Sequence, residues 1–104
     1  MEQYNINFNS LQWESPLPGV RFKAYKNKNK LLRFVEYSSE FIEPEWCTKS
    51  HTGYVIEGEF EINFDGTKVK YTKGDGIFIP GGEEHRHKAN ILSNKVIVFL
   101  SEDI

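Results

Sequence analysis

The segment Gly74–His85, read GDGIFIPGGEEH, constrains this chain more than any other. Gly74-Asp75-Gly76 makes a turn, and Ile77-Phe78-Ile79 is a short apolar run. Pro80 and the pair Gly81-Gly82 then reverse the chain, since proline fixes φ and glycine reaches conformations closed to other residues. An apolar run of this length between two turns reads as a strand over 77–80. The next strand is expected over 85–90. Strand side chains alternate, so His85 and His87 should share one face, with Arg86 and Lys88 on the other.

The rest of the chain repeats this rhythm. Strands are expected over 20–25, 31–38, 52–64, 67–72 and 95–101, with a loop over 40–46 around Pro44. Asp65-Gly66 is a strong two-residue hairpin signal. Gly58 sits where the long strand changes from apolar on both faces to apolar on one, a place for a bend or bulge. Residues 1–19 read as an irregular arm, because Pro16 and Pro18 bar a helix. Lys26–Lys30 is a solvated turn, and Glu57, Glu59 and Glu61 form a wet strand face. Val96–Leu100 is apolar on both faces, so either a second layer covers it or a homodimer interface does. Seven or eight short strands without a helix predict an antiparallel sandwich or barrel in one domain over 1–104, its core spanning about 20–101.

Composition excludes several function classes. The formal net charge is -2, so bulk electrostatics recruits neither nucleic acid nor anionic membrane. No apolar run approaches the ~18 residues of a spanning helix. The N-terminus has neither the basic nor the apolar region of a signal peptide. Cys47 is the single cysteine and cannot form an internal disulfide, which fits a reducing cytoplasm. There is no phosphate loop and no nucleophile elbow.

Gly74, Pro80, Gly82 and His85 match the pattern G-x5-P-x-G-x2-H-x3-N, except that Ala89 takes the final Asn position and Asn90 follows one residue late. This resembles the second motif of the cupin superfamily. The stretch Gly53–Glu59, GYVIEGE, is similar to the end of the first, G-x5-H-x-H-x3,4-E-x6-G. Anchored on Gly58, the glutamate of that motif falls on His51, and its two histidines fall on Glu45 and Cys47. The resemblance spans about residues 30–100. It implies an all-β double-stranded β-helix, or jelly-roll barrel, with a ligand set gathered in the barrel mouth. Here that set would be Cys47, His51 and His85, with Glu45 or His87 as a fourth.

Thiolate and imidazole suit a divalent transition metal such as Zn, Fe, Ni or Mn. His87, with an ordinary pKa near working pH, is the candidate acid/base group. Arg33 has the parity of Val35 and Tyr37. If that face lines the cavity, Arg33 would pair with an anionic substrate; otherwise it faces water. Two readings lead, ahead of a third in which the chain is a stable dimeric scaffold with no small ligand. One is a metal-binding cupin that binds and transforms a small polar metabolite, a sugar or organic acid. The other is a metal-free module that binds or senses a small molecule.

Overall fold

Gly58 divides the long strand expected over 52–64 and sends its two halves into different sheets. The computed structural model of the chain describes residues 4–104. Among them are nine strands: β1 (Glu14–Leu17), β2 (Val20–Asn27), β3 (Lys30–Ser38), β4 (His51–Glu57), β5 (Glu59–Asn63), β6 (Lys68–Thr72), β7 (Gly76–Ile79), β8 (Lys88–Ile91) and β9 (Lys95–Asp103). A six-stranded sheet runs β1-β2-β3-β9-β4-β7, and a three-stranded sheet runs β6-β5-β8. Every pairing is antiparallel. β4 lies in the first sheet and β5 in the second. Gly58, between them, has φ +91°, and a Cβ there would lie 2.1 Å from the Lys95 carbonyl oxygen. Only glycine meets both demands. The β4–β9 register also shifts between Val55 and Glu57, the local disorder expected of a bulge.

The two sheets face each other across an apolar core. Val35, Val55 and Val96 are fully buried, with Phe60, Ile62, Ile77, Ile79, Val98 and Leu100 packed around them. Asp65-Gly66 forms the expected tight hairpin: both residues have positive φ, and Phe64 N–H donates to Thr67 O at 2.7 Å.

Two expectations about the elements are corrected. The arm is not wholly irregular, since residues 14–17 form β1. Pro16 is tolerated there because β1 is an edge strand, where one flank needs no N–H, and its pairing with β2 is itself irregular. The arm also covers the outer face of the large sheet. Phe8 packs edge-on against Phe99, at 5.5 Å between ring centroids, and Trp13 packs against Phe34 at 6.1 Å. That layer accounts for the second apolar face of β9. Residues 1–3 of the expected arm lie outside the described residues.

The second correction concerns the histidines. His85 closes a 3-10 turn, Glu83–His85, and β8 begins only at Lys88. His85 and His87 therefore do not share a strand face. Gly82, at φ +120°, admits the turn, and Gly82 O accepts from His85 N–H at 3.1 Å. No helix of the described residues is long and apolar enough to cross a membrane.

Candidate metal centre

Three strand alternations converge on one end of the space between the sheets. Along β3, Leu31, Arg33, Val35 and Tyr37 point inward. Along β9 the inward series is Val96, Val98, Leu100 and Glu102. His51 opens β4 on the same side. Leu31, Arg33, Tyr37, Val98, Leu100, Glu102 and His51 line a cavity of about 840 Å³, whose opposite wall carries Phe60, Ile62 and Ala89 from β5 and β8.

Cys47 and His87 are brought together by backbone pairing. Cys47 N–H donates to His87 O at 2.9 Å, and His87 N–H donates to Cys47 O at 3.0 Å. This reciprocal pair is an isolated antiparallel bridge, which sets the two side chains beside each other. His51 joins them: its Nε2 lies 3.4 Å from Cys47 Sγ, and its ring meets that of His87 edge-on at 5.1 Å. One ligand atom each from Cys47, His51 and His87 lies within 4.8 Å of the others.

The other nitrogen of each imidazole is already engaged. His51 Nδ1 donates to Glu102 Oε2 at 2.5 Å. His87 Nδ1 donates to the His85 carbonyl at 3.0 Å. Both rings thus turn Nε2 toward Cys47. This donor set fits a metal ion. Zinc–sulfur and zinc–nitrogen bonds of about 2.3 and 2.05 Å give a tetrahedral S···N edge of about 3.6 Å, close to the Cys47–His51 separation. Metal-ligating histidines ordinarily donate their second N–H to a carboxylate or carbonyl, as both do here.

The electrostatics reinforce this arrangement. Hydrogen bonds from His51 and then His87 lower the Cys47 thiol to about 5, against the opposing effect of burial. Burial alone would depress His51. Its bonds to Cys47 and Glu102 outweigh that and raise it to about 9. Burial works against the Glu102 carboxylate too, but His51 and Arg33 bring it down to about 2. The ion-free site therefore holds a thiolate and an imidazolium in contact at neutral pH.

The expected residues are distributed unevenly. Cys47, His51 and His87 meet. The His85 side chain does not join them: it is 42% exposed, and its Nε2 is 3.9 Å from Glu84 Oε1. His85 reaches the site through its carbonyl instead. Glu45 is exposed. Arg86 and Lys88 point away from the cavity, as their parity requires, and lie over Trp46 at 5.3 and 5.1 Å from its ring centroid. Arg33 lines the cavity, but its Nε and Nη2 donate to Glu102 Oε1 and Oε2 at 2.6 and 2.8 Å.

Sequence reasoning missed Glu102 and Glu43. The signal for Glu102 was present, because the alternation Val96, Val98, Leu100 continues to it. Glu43 lies in the segment beside β8, in a stretch read as loop. Its Oε1 accepts from Ala89 N–H at 2.8 Å, filling a gap in the pairing between the bridges Ile42–Asn90 and Cys47–His87. Burial raises its carboxyl above the usual range.

The comparisons with known proteins agree with this architecture. The cupin-domain family model matches residues 39–101, more than half of the chain. No curated protein matches the sequence. Among solved structures, the chain is similar to KdgF from a Halomonas species, at 22% identity and TM-score 0.78, covering 99% of this chain and 94% of that one. It is also similar to an RmlC-like cupin from Shewanella frigidimarina, at 19% identity and TM-score 0.75, covering 98% and 91%. A third is the polyketide cyclase RemF from Streptomyces resistomycificus, at 17% identity and TM-score 0.77, covering 98% and 80%. These likenesses are of fold. The chain belongs to the cupin family, and its fold is the antiparallel jelly-roll barrel.

Proposed function

We propose that this chain is a metal-binding cupin that takes a small polar metabolite, such as a sugar or organic acid, into its barrel and transforms it. The observation that carries the reading is the convergence of Cys47, His51 and His87 at the inner end of the cavity, with both imidazoles presenting Nε2. Thiolate and two imidazoles make a three-ligand set that leaves a position open for water or ligand. A divalent ion held there, whether Zn, Fe, Ni or Mn, would supply Lewis acidity to a carbonyl or hydroxyl group.

The protein's own residues do the rest. Its 4% exposure and its nearness to Cys47 and His51 support reading His87 as a ligand; the acid/base part falls better to Glu43, which lines the same cavity. Its carboxyl is fixed through one oxygen, and burial raises its pKa, which favours the neutral acid. Phe22, Phe41, Ile79 and Leu100 supply an apolar wall that excludes water. RemF, of the same fold, is a polyketide cyclase, so a barrel of this shape is compatible with an enzyme.

The experiment is elemental analysis of protein purified without an affinity tag, followed by thermal-shift screening of sugars and organic acids with and without chelator. Near-stoichiometric metal and ligand shifts abolished by chelator support the reading. Absent metal refutes it.

One observation favours the second reading, a metal-free binding or sensing module. The Cys47–His51 contact is an ion pair that satisfies itself, and among the described residues no buried side-chain polar atom lacks a partner. Ligand shifts that persist in chelator identify this case.

We also propose that two copies associate through the outer face of the six-stranded sheet. The arm leaves Phe78 79% and Tyr54 53% exposed there, an apolar area of the kind interfaces cover. Sedimentation of wild type beside Phe78→Asp tests it: a dimer that becomes monomeric supports the face, and an unchanged species refutes it. A cytoplasmic location accords with the free thiol of Cys47.

A further inference from the structure

Among the described residues Glu102 is the one carboxylate that is fully buried, at 7% exposure. It pairs with Leu31 across the β3–β9 ladder, so Arg33, two residues along β3, lies diagonal to it on the same face. Thr52 pairs with Ser101 across β4–β9, which brings His51 to its other side. Its two oxygens are fully committed. Oε1 accepts from Arg33 Nε, and Oε2 accepts from both Arg33 Nη2 and His51 Nδ1.

We infer that Glu102 is the positioning residue for His51, and that Arg33 serves the site by clamping Glu102 and not by holding a substrate. The inference rests on the metal-binding reading above. A carboxylate accepts and never donates, so Glu102 keeps the proton on His51 Nδ1, and Nε2 is the nitrogen that gives up its proton to an ion. The bidentate guanidinium fixes the plane of the carboxylate, and the carboxylate fixes the plane of the imidazole. Stability alone does not explain the device, since buried ion pairs are commonly no better than apolar side chains of similar volume. His87 is oriented by a backbone carbonyl, which side-chain substitution leaves in place. His51 depends on a side chain, so its orientation can be tested directly.

The decisive variant is Glu102→Gln, which is isosteric. Arg33 will take its amide oxygen, turning the NH2 toward His51 Nδ1. That nitrogen must then accept, and the proton moves to Nε2, the wrong tautomer for a ligand. Co(II) titration at pH 7.5, followed by the thiolate-to-cobalt absorption, should show one ion per wild-type chain. Glu102→Gln should bind about 10- to 100-fold more weakly while its far-ultraviolet circular dichroism remains that of wild type. Glu102→Ala should lose affinity similarly.

If wild type binds Co(II) and both variants bind within about twofold of it, the positioning role is overturned while the metal site stands. If wild type binds no Co(II), the metal site itself fails, and this inference with it. Should neither variant fold, the imidazole 15N shifts of ion-free wild type at pH 10 decide. Protonated Nδ1 and bare Nε2 on His51 support the inference, and the opposite tautomer overturns it.

Discussion

His51 Nδ1 lies 2.5 Å from Glu102 Oε2, and each group holds the other in its charged form. Glu102 sits at about 2 in the fold against an ordinary 4.5. Its contribution to stability is therefore present above pH 4.5 and is lost as pH falls toward 2. His51, raised from 6.5 to about 9, contributes fully below pH 6.5 and loses that contribution as pH rises to 9. Cys47, lowered from 9 to about 5, has the opposite sign between pH 5 and 9, so the two largely offset each other from 6.5 to 9. The clean signature is thus on the acid side. Thermal melts of ion-free protein should show Tm falling between pH 4.5 and 2, with a shallower fall in Glu102→Gln.

Metal binding must displace the proton that His51 carries at neutral pH, whereas Cys47 is already a thiolate. Apparent Zn(II) affinity should therefore rise with pH up to about 9 and level off there. Competition titrations against a chromophoric chelator across pH 6 to 10 measure this. A profile flat over the whole range would contradict the protonation state given to His51.

The same thiolate predicts a reactive cysteine. Iodoacetamide should alkylate Cys47 of ion-free protein at a rate that reaches its plateau near pH 6, because the thiol titrates at about 5 and not near its ordinary 9. Zn(II) should slow the reaction at least tenfold (roughly, on the scale of a tightly held ligand). Intact-mass spectrometry reads both effects.

Gly58→Ala tests the fold apart from the site. The new Cβ would meet the Lys95 carbonyl at 2.1 Å, and the residue would keep a φ of +91°. Both penalties act together, so the loss should be about 3 kcal/mol or more, measured by urea denaturation. A loss under ~1 kcal/mol would mean that the strand crosses between the sheets without needing glycine.

Much of this architecture was legible in the sequence. The alternation of β3 and β9, the Asp65-Gly66 hairpin and the break at Gly58 are local signals, and each has a local physical cause. The site was only partly legible, because its geometry depends on where strands end. The period-two rule put His85 and His87 on one face. Gly82 permits a 3-10 turn there, which turns the His85 ring to solvent and leaves its carbonyl as the useful group. Glu102 was overlooked because β9 was ended at Ser101, one residue before the inward alternation delivers a carboxylate. Glu43 lay in a stretch without periodicity, and only the bridges flanking it show that it enters the cavity. For Arg33 the sequence leaves cavity and solvent both open; it lines the cavity, but its partner is another residue of the barrel, and spacing carries no trace of that.

The central claim is that His87, and not His85, completes the metal site with Cys47 and His51. The most direct measurement is the metal content of wild type, His87→Ala and His85→Ala, each purified without an affinity tag and loaded under identical conditions. Wild type and His85→Ala should hold about one ion per chain, as a three-ligand site requires, while His87→Ala should be empty, since the carbonyl that His85 contributes survives its substitution. Metal retained in His87→Ala and lost in His85→Ala would contradict the account.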